Sequence, residues 1–471
     1  MAQAKLTVVI LAAGLGKRMA SRLPKVLHPV LGEPMLAHVL RAAEALEPTR
    51  IVVVTGHGRE QVESWLASRA NPLPITCIEQ VNPNGTGHAM LCAQPAWEDA
   101  SEVLILYGDV PLLRVPTLDA LVRDRGDRPL SLLVAHVPDP TGYGRVVLNG
   151  AEIARVVEHK DASAAERAIT AVNAGMMAVR ADFLKTSLSR LTPNNAQGEL
   201  YLTDLVGMAA ESGRPGIATI AADANEIQGV NNRAELAAAT GVLRKRINHA
   251  WMMTGVAMDE PETAWIETTV QIEPDASLGA GVELRGQTRV AAGARIDRGC
   301  VLRDVTVAAN AHFLAYSVAA EASVGPGAHV GPFAHLRPGT ELAADVKVGN
   351  FVETKKAKLG VGAKASHLSY LGDADIGPGC NIGAGTITCN YDGVNKFKTT
   401  LGAGVFIGSD TQLVAPVTLG DDAYVGAGST IIHDVPAGAL ALSRTEQRNI
   451  EGWTAKKKAR QAAAKAAKSG H

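Results

Sequence analysis

Apolar runs and segments of helical periodicity alternate along the first half of the chain. The apolar runs predict strands at TVVILAA (7–13), IVVVTG (51–56), ITCIEQ (75–80), VLILYGDV (103–110) and SLLVAHV (131–137). Between the first two of these strands, MLAHVLRAAEAL repeats its apolar residues at the spacing of one helical face. Strands that are apolar almost throughout and alternate with helices indicate a mostly parallel sheet covered on both faces.

A long helical pattern then leads into a different period. Residues 232–254 predict one helix of about 30 Å, which we interpret as a connection between two domains. Beyond it, six-residue units run from IEPDAS (272–277) to VGAGST (425–430), and most begin with an aliphatic residue followed by Gly or another small residue. This period is typical of a parallel β-helix, in which the aliphatic residue points inward and three units form one triangular coil. Residues about 18 apart should therefore stack on successive coils.

One stretch interrupts the hexapeptide units. Between Ile382 and Leu401, the residues TCNYDGVNKFKTT contain no aliphatic unit. They predict a loop that leaves the solenoid, and long loops on such scaffolds commonly carry function. The chain ends in an Ala/Lys-rich tail, EGWTAKKKARQAAAKAAKSGH, for which we expect a solvated and partly helical structure.

Three segments follow from these patterns. Residues 1–231 are predicted to form an α/β domain, residues 232–254 the connecting helix, and residues 255–471 the β-helix with its tail. Solenoids of this type leave flat side faces with apolar borders. We therefore expect a homotrimer that associates through the β-helix.

Composition and charge narrow the classes of function. Hydrophobic residues make up 46% of the chain and charged residues 20%, as expected of a globular protein with sizeable cores. A formal net charge of −1 gives no indication of nucleic-acid binding, and no apolar run approaches the roughly 20 residues of a membrane span. The five cysteines lack C-x-x-C spacing and fit reduced thiols, and the N-terminal apolar run lacks the cleavage site of a signal peptide. We expect a cytoplasmic protein with no nucleic-acid or membrane partner.

The first candidate for chemistry is the loop after the first strand. Residues 8–19 read VVILAAGLGKRM, so the strand runs into a G-x-G turn, but Met19 stands where a dinucleotide-binding loop has its third glycine. Two glycines let the backbone approach a phosphate closely, and Lys17, Arg18 and Lys25 add positive charge that suits a triphosphate. A tight strand-to-helix turn with solvated cations explains the loop equally well.

The second candidate is Asp109, in YGDVPLL (107–113). It follows an apolar strand, at the edge where open α/β sheets bind ligands. A lone carboxylate there suits Mg²⁺, because a magnesium ion bound to phosphates needs only one or two protein ligands. The alternative is that Asp109 caps the turn before Pro111. In addition, GTGHAM (85–90) predicts a glycine turn before a helix, suited to lie against a flat base.

In combination, the motifs resemble a known family. LAAGLGKRM with the following Pro-Lys pair, Gln80, GTGHAM, YGD, GYGR, VEHKDA, VNAGM and GVNNR occur in the order found in sugar-1-phosphate nucleotidyltransferases. With the hexapeptide half included, residues 5–453 resemble the bacterial bifunctional N-acetylglucosamine-1-phosphate uridyltransferases/glucosamine-1-phosphate N-acetyltransferases. The resemblance implies an α/β Rossmann-like nucleotidyltransferase domain, a long linker helix and a left-handed parallel β-helix of hexapeptide repeats.

The resemblance also implies two reactions. Such an enzyme acetylates glucosamine-1-phosphate from acetyl-CoA, and then transfers UMP from UTP to N-acetylglucosamine-1-phosphate with release of pyrophosphate. Mg²⁺ would be its cofactor, with acetyl-CoA and UTP as cosubstrates. The product would supply precursors of peptidoglycan and lipid A.

Residue roles in the α/β domain follow from the same resemblance. Uridine and ribose contacts would fall to Leu11, Ala12, Ala13, Gly14, Gln80, Gly85 and Thr86. Arg18 and Lys25 would contact phosphate, and Asp109 and Asn231 would ligate Mg²⁺. The sugar side and the remaining substrate contacts would be Tyr107, Gly108, Gly144, Glu158 and Asn173. The family usually has Thr at position 17, so Lys17 leaves the phosphate contacts of that position open.

A second cluster lies on the predicted β-helix, outside its aliphatic pattern. Acetyl transfer to a sugar amine needs a base with a pKa near neutrality, and His367 is the candidate. Arg337 and Lys355 are 18 residues apart, so they should stack on neighbouring coils and bind the phosphate of the acceptor. The resemblance matches His367 to the general base. It implies sugar-phosphate and acetyl-CoA contacts at Arg337, Lys355, Tyr370, Asn381, Ala384, Asn390, Tyr391, Ser409, Ala427 and Arg444.

Other interpretations of this cluster stay open. By spacing alone, His367 is equally compatible with a surface histidine hydrogen-bonded at a corner of the solenoid. Hexapeptide trimers can also bind zinc through histidines, as carbonic anhydrases do. The candidates for such a site are His312, His329, His335 and His367. Their separations do not place a matching trio on one coil edge.

Two alternatives concern the whole chain. One is a single-activity sugar-1-phosphate nucleotidyltransferase with a structural β-helix, which predicts no base and cation cluster on the solenoid. The other is a non-enzymatic scaffold, which predicts degraded metal and phosphate residues. The sequence contains the cluster as well as Lys25, Asp109 and Asn231, so it favours the bifunctional enzyme.

Overall fold

The computed structural model describes residues 5–70, 73–195 and 197–468. The chain divides into two compact units. The first consists of Met1–Thr254, Glu260–Val270 and Leu284–Gly286. The second consists of Gly255–Asp259, Gln271–Glu283 and Gln287–His471.

Alternating strands and helices build the first unit. Its strands are β1 (Leu6–Leu11), β2 (Pro29–Val30), β3 (Glu33–Pro34), β4 (Arg50–Thr55), β5 (Ile75–Glu79), β6 (Glu102–Tyr107), β7 (Leu130–His136), β8 (Arg145–Asn149), β9 (Glu152–Val157), β10 (Ala171–Arg180) and β11 (Ile217–Ile220). Its helices are α1 (Met35–Glu44), α2 (Arg59–Ser68), α3 (Thr86–Trp97), α4 (Val115–Arg125), α5 (Ala164–Arg167), α6 (Ala181–Leu188), α7 (Asp204–Glu211) and α8 (Arg233–Met253). The five predicted strands are all present, and each ends earlier than predicted, β6 most of all.

Nine of these strands form one sheet in the order β5-β4-β1-β6-β10-β7-β11-β9-β8. β5, β4, β1 and β6 pair in parallel, as do β7 and β11. β10 runs antiparallel between β6 and β7, and β8 pairs antiparallel with β9. β11 also pairs antiparallel with β9, so the sheet is mixed, and the predicted parallel arrangement is confirmed for the β5-β4-β1-β6 half. The apolar pattern does not reveal β10, because that strand contains Gly175 and shifts its register between Asn173 and Met177.

Helices cover both faces of this sheet. On β1, Val8 and Ile10 face one layer while Val9 and Leu11 face the other, because side chains alternate along a strand. Side chains from α1, α2 and α4 complete the first layer, and side chains from α3, α6 and α7 complete the second. A strand buried on both faces has no polar side, which is why these strands are apolar almost throughout.

The helix predicted between the two domains is α8. Its N-cap is Asn232, whose side chain accepts a hydrogen bond from the backbone N–H of Glu235. Leu236 and Leu243 are half-buried and pack against a small cluster that includes Met35. The helix therefore lies within the first unit along its whole length.

Three ladders of short parallel strands build the second unit. The first ladder contains Ala257–Met258, Ser277–Leu278, Arg295–Ile296, His312–Phe313, His329–Val330, Lys347–Asn350, Lys364–His367, Asn381–Ile382, Phe406–Ile407, Tyr424–Val425 and Leu440–Ala441. The second contains Gln271–Ile272, Arg289–Val290, Thr306–Val307, Ala322–Val324, Thr340–Leu342, Thr399–Leu401 and Val417–Leu419. The third contains Val301–Arg303, Val318–Ala320, His335–Leu336, Ile387–Cys389, Gln412–Val414 and Thr430–Ile431. Two longer strands serve both the second and the third ladder: Glu353–Leu359 and Tyr370–Ile376. Two further short strands, Trp265–Ile266 and Glu283–Arg285, lie wholly or partly in the segments 260–270 and 284–286 of the first unit.

Successive coils stack close to the predicted spacing. In the first ladder, Ser277 pairs with Arg295, 18 residues further on, and Arg295 pairs with His312, 17 further on. The aliphatic residue of the hexapeptide units points inward, and Ile296 and Val330, for example, are at most 1% exposed. These observations confirm the parallel β-helix.

The predicted interruption lies in the coil after Ile382. Asn381 pairs with Phe406, 25 residues further on, so this coil is longer than its neighbours. The strands Ile387–Cys389 and Thr399–Leu401 remain within the ladders. The loop is therefore confined to residues 390–398 and is shorter than the stretch predicted from the sequence.

The Ala/Lys-rich tail forms an exposed helix, α9 (Trp453–Lys468). Among the residues that the structure describes, no helix, α9 included, combines the length and the apolar character needed to span a bilayer. The five cysteines all carry free thiols.

Candidate functional sites

A cavity of about 230 Å³ opens in the first unit where the parallel strands β1 and β6 end. The residues predicted to bind substrate that line it are Leu11, Ala12, Ala13, Gly14, Lys25, Gln80, Gly85, Thr86, Tyr107 and Asp109. The remaining lining residues are Ala89 of the GTGHAM motif and three residues outside the motifs, Val26, Pro83 and Glu199. Gly108 lies behind this wall, where a Cβ would be 3.1 Å from Val26. The cavity thus occupies the ligand edge expected of an open α/β sheet.

Glycines shape the loop over this cavity. Gly16 has a φ of +58°, and a Cβ there would lie 2.9 Å from the Cβ of Lys25. The loop can therefore pack against the Lys25 stem only with glycine at this position. The next residues form a single 3-10 turn, Lys17–Met19, where a dinucleotide-binding loop would begin a long helix. The side chains of Lys17 and Arg18 are exposed and make no hydrogen bond or ion pair with a described residue, so both can meet an anion from solvent.

Three polar side chains converge at the cavity. The ammonium group of Lys25 forms an ion pair with Asp109 and donates a hydrogen bond to Asn231 Oδ1 at 3.2 Å. Glu235 orients Asn231, because its carboxylate accepts hydrogen bonds from the Asn231 backbone N–H at 2.7 Å and from the side-chain amide at 3.2 Å. With its nitrogen bound to Glu235, the amide turns its oxygen toward Lys25. The carboxylate oxygen of Asp109 and the amide oxygen of Asn231, which come from distant parts of the chain, therefore face one cation.

The residues predicted for the sugar side form a second group, next to Tyr107. The backbone N–H of Asn173 donates to the carbonyl of Gly144 at 2.9 Å, and a Cβ on Gly144 would lie 3.3 Å from a carboxylate oxygen of Glu158. Gly175 connects this group to the cavity, since a Cβ there would lie 2.8 Å from the Tyr107 ring. Gly144, Glu158 and Asn173 are therefore contiguous, although they do not line the cavity itself.

Burial changes the pKa values of acidic groups around this site. Burial, together with the negative charge of Asp109, raises the pKa of the Tyr107 phenol, so the hydroxyl stays protonated and can donate. Burial also raises the pKa of Glu158, and the charges of Asp161 and Asp204 add to the shift. A sugar that donates hydrogen bonds to the Glu158 carboxylate would favour its charged form.

The other end of the cavity is formed by Gln80 and the turn before α3. Gly85 precedes α3 with a φ of +95°, a conformation that favours glycine. The Gln80 amide nitrogen lies 3.0 Å from the carbonyl oxygen of Gly85 and 3.1 Å from His88 Nδ1. No sequence signal marks His88 as a partner of Gln80, because they lie eight residues apart in different elements.

On the second unit, His367 stands in a file of residues along one corner of the solenoid. Asn350 pairs with His367 in the first ladder. Backbone hydrogen bonds between the following coils continue the file through Ala384, Ser409 and Ala427. Three residues predicted to contact acetyl-CoA or sugar phosphate therefore align with His367. Their side chains are short, which leaves room along the surface beside the imidazole.

The imidazole of His367 is exposed and oriented by one hydrogen bond. Its Nδ1 lies 2.9 Å from Asn350 Oδ1, and because an amide oxygen only accepts, Nδ1 carries the proton and Nε2 keeps a free lone pair. Nε2 has no hydrogen-bond partner within the described residues. Gly349 allows the coils to approach here, since a Cβ there would lie 1.9 Å from the carbonyl oxygen of Ser366. A histidine in this orientation can accept a proton at Nε2.

Arg337, Lys355 and Lys396 form a cationic cluster on the same unit. The backbone N–H of Arg337 donates to Thr354 on the next coil at 2.9 Å, which stacks Arg337 and Lys355 as predicted. A hydrogen bond with Lys396 and the repulsion of its charge lower the pKa of Lys355, and Arg337 adds to the repulsion. Only Arg337 of the three has a carboxylate partner at ion-pair distance among the described residues, Glu353 at 2.6 Å. Crowded cations of this kind suit an anion such as a phosphate.

Further predicted residues surround this cluster. Tyr370 leans over Gly372, where a Cβ would lie 2.4 Å from its hydroxyl, and Gly372 pairs with Lys355. Asn390 donates to Asp373 at 2.5 Å. The remaining members are dispersed: Tyr391 in the loop, Asn381 in the first ladder and Arg444, which donates to the Ala427 carbonyl at 2.8 Å. Among the described residues, no hydrogen bond or ion pair joins His367 to the cationic cluster.

The histidines of the zinc alternative occupy separate positions. His312 and His329 are neighbours in the first ladder, with ring centroids 5.9 Å apart, and the next position of the ladder is Lys347. His335 lies in the third ladder. His367 is oriented by Asn350 and not by another histidine.

We expect Asn350→Leu to lower acetyl transfer about tenfold, because the leucine keeps the side-chain shape but removes the acceptor that orients His367. Release of free thiol from acetyl-CoA measures this step. Gln271→Met, which removes an exposed amide from the second ladder, is the control. Acetyl transfer at the wild-type rate in Asn350→Leu would show that the hydrogen bond does not orient the base.

Comparisons with known proteins match both halves of the chain. A model of the MobA-like NTP transferase domain matches residues 8–182, and a model of bacterial transferase hexapeptides (six repeats) matches residues 398–433. The Bifunctional protein GlmU of Sorangium cellulosum is 50% identical over 462 residues, which cover 97% of this chain and 97% of that protein. Its namesake from Alkalilimnicola ehrlichii is 50% identical, covering 95% of this chain and 96% of its own length. The Corynebacterium efficiens protein of that name is 47% identical, covering 98% and 96%.

Proposed function

The chain belongs to the family of bifunctional GlmU proteins, and on this basis we propose which of its residues carry the two activities. The protein is an enzyme of UDP-N-acetylglucosamine synthesis with uridyltransferase and acetyltransferase activity. We place uridylyl transfer in residues 1–231, with α8 packed on that unit, and acetyl transfer in residues 255–471. Its product supplies precursors of the cell wall.

Uridylyl transfer takes place at the cavity between β1 and β6. Leu11 to Gly14, Gln80, Gly85 and Thr86 bind the uridine, and the Gly144, Glu158 and Asn173 group binds the sugar. A phosphate oxygen of N-acetylglucosamine-1-phosphate attacks the α-phosphorus of UTP and forms a new P–O bond. The bond between the α-phosphorus and the oxygen that bridges to the β-phosphorus breaks, and this oxygen leaves with pyrophosphate. Lys25 and Arg18 stabilise the phosphate charge. No protein nucleophile is required, because positioning and charge neutralisation carry this class of reaction.

Asp109 and Asn231 are the residues that would hold Mg²⁺. The structure supports this assignment, since a carboxylate oxygen and an amide oxygen converge on one cation, the Lys25 ammonium group. Oxygen donors of these two types are the ligands that Mg²⁺ prefers, and one or two of them suffice when phosphates complete the shell. Bound there, the ion would neutralise charge on the nucleotide phosphates. Glu235 keeps the Asn231 oxygen turned toward this point.

Acetyl transfer takes place along the file of His367, Ala384, Ser409 and Ala427, which accommodates acetyl-CoA. The Arg337, Lys355 and Lys396 cluster binds the phosphate of glucosamine-1-phosphate, and Tyr370, Asn381, Asn390, Tyr391 and Arg444 complete the substrate contacts. The sugar amine attacks the thioester carbonyl, its proton passes to His367 Nε2, the C–S bond breaks, and coenzyme A leaves as the thiol after protonation. Asn350 holds the imidazole in the tautomer that this proton transfer needs.

The single observation that carries the two-site assignment is the imidazole of His367, with Nδ1 bound to Asn350 and Nε2 free beside a file of small side chains. A surface histidine at a corner of the solenoid accounts for the hydrogen bond to Asn350, but not for the file of small side chains beside Nε2.

We expect the protein, given glucosamine-1-phosphate, acetyl-CoA, UTP and Mg²⁺, to release free thiol and pyrophosphate in sequence. Given N-acetylglucosamine-1-phosphate, UTP and Mg²⁺, it should release pyrophosphate without acetyl-CoA. Separate assays of thiol and pyrophosphate distinguish the two steps. Pyrophosphate release without any thiol release would support the single-activity nucleotidyltransferase instead.

A homotrimer formed through the β-helix fits an exposed aromatic file on the second unit. Tyr316, Phe333 and Phe351 stack with ring centroids 5.6 Å apart, and each is at least 50% exposed. Contiguous exposed apolar surface of this kind marks association sites. Phe351 directly follows Asn350, so a second copy on this file would border the acetyl-transfer site. We propose a cytoplasmic trimer, and light scattering coupled to size exclusion measures its mass.

A further inference from the structure

The side-chain amide of Gln80 has only one possible orientation in the cavity of the first unit. Gln80 is 6% exposed, and its amide nitrogen lies 3.0 Å from the carbonyl oxygen of Gly85 and 3.1 Å from His88 Nδ1. A backbone carbonyl can only accept, so the nitrogen of the amide must face Gly85. The second amide hydrogen meets His88 Nδ1, which therefore carries no proton, and the ring hydrogen is on Nε2.

This orientation presents the amide oxygen to the cavity. Gln80 lines the cavity together with Gly85 and Thr86, and its Oε1 accepts no hydrogen bond from any residue that the structure describes. This oxygen faces the cavity and can accept a hydrogen bond from a ligand there. The site is therefore prepared for a hydrogen-bond donor at the position where Gln80 Oε1 points.

Pyrimidine bases differ in the group that they offer at N3. Uracil carries an N3–H donor between two carbonyl oxygens, whereas cytosine has an unprotonated ring nitrogen there, which is an acceptor. An amide oxygen facing N3 therefore binds uracil and repels cytosine. A flipped amide would reverse the preference, because its NH₂ would face N3 instead.

We propose that His88 is a positioning residue for base selection, which fixes the Gln80 amide so that its oxygen, and not its nitrogen, meets the base. This inference rests on the proposed function, in which the cavity takes the uridine of UTP. The amide nitrogen donates one hydrogen bond to the Gly85 carbonyl and the second to His88 Nδ1. Removal of His88 leaves one amide hydrogen without an acceptor, so the energetic preference between the two orientations shrinks.

The position of His88 suits this role. It lies in the first turn of α3, between Gly87 and Ala89, both of which are buried. A Cβ on Gly87 would lie 2.6 Å from Leu191, so the helix start is packed tightly and the imidazole has a fixed origin. A rigid support is what a positioning residue requires.

His88→Leu and His88→Asn in the full chain form a matched test. Asn places an acceptor oxygen on the same atom, Cγ, that carries Nδ1 in histidine, whereas Leu has nearly the same shape without an acceptor. The measurement is kcat/KM for UTP and for CTP, with N-acetylglucosamine-1-phosphate and pyrophosphate detection. We expect the UTP/CTP ratio to fall at least about tenfold in His88→Leu and to stay within about threefold of wild type in His88→Asn.

Two controls accompany this test. Cys92→Ala changes the side chain one helical turn further on, whose sulfur lies 3.8 Å from His88 Nδ1, and should keep the wild-type ratio. Far-UV circular dichroism and thermal unfolding of each variant show that the first unit, which contains His88, is folded. A merely structural role of His88 would lower both kcat/KM values together, and the resulting unchanged ratio would overturn the proposal. A fall of the UTP/CTP ratio in His88→Asn as large as that in His88→Leu would contradict the role of Nδ1 as a hydrogen-bond acceptor.

A wild-type protein that releases no pyrophosphate from UTP would overturn the proposed function, and this proposal with it.

Discussion

Asp109→Ala is expected to reduce uridylyl transfer on the order of a thousandfold while acetyl transfer continues at the wild-type rate. The carboxylate is one of the two oxygen donors that converge on a cation in the cavity of the first unit. Its removal eliminates one of the two proposed Mg²⁺ ligands and leaves the half-buried Lys25 ammonium group with Asn231 as its one remaining partner among the described residues. Pyrophosphate release from UTP and N-acetylglucosamine-1-phosphate measures the loss.

Asp119→Ala provides the control for this experiment. Asp119 is exposed on α4 and pairs with Arg123 one turn away, a type of surface ion pair that contributes little. The Asp119→Ala variant should retain full uridylyl transfer. If Asp109→Ala lost both activities together while remaining folded, the two sites would not be separate. If it kept uridylyl transfer, the metal and phosphate assignment at this cavity would be wrong.

His367→Ala is expected to show the converse result. Loss of a general base typically lowers a rate by about 10²–10⁴-fold, so thiol release from acetyl-CoA should fall within that range. Uridylyl transfer to N-acetylglucosamine-1-phosphate should be unaffected, because the first unit has its own cavity and core. The two assays on one preparation of the variant separate the activities.

The matched control is His335→Ala, which removes an exposed histidine from the third ladder of the same solenoid. It should retain both activities. Acetyl transfer above a tenth of the wild-type rate in His367→Ala would mean that another group accepts the amine proton. The surface-histidine interpretation of His367 would then be the better one.

Periodic features of the fold could be predicted because they depend on neighbours in the sequence. The inward position of Ile296 follows from the six-residue period, and the burial of β1 on both faces follows from its continuous apolar run. The strand β10 could not be predicted, because Gly175 and the shift of register after Asn173 break its pattern. The bounds of the loop 390–398 could not be predicted either, because hydrogen bonds between the coils keep Cys389 and Thr399 in strands.

Candidate site residues were found where a motif marks them. The G-x-G turn, Asp109 after its strand and Gln80 lie together at one cavity, although Glu199 lines the same cavity without any motif. On the solenoid, the stacking of Arg337 and Lys355 could be predicted from their spacing. The position of Lys396 beside them could not be predicted, because Lys396 lies in a loop whose path no period determines.

By itself, the sequence determined the two architectures, the inward residues of the coils and the chemistry of the residues at each site, because these depend on local periodicity and on residue type. Only the tertiary structure decided how the polar groups are oriented. Glu235 turns the Asn231 oxygen toward Lys25, Asn350 leaves Nε2 of His367 free, and His88 aims the Gln80 amide. Each of these hydrogen bonds depends on the direction of two side chains in space, and no repeat or motif in a sequence specifies that direction.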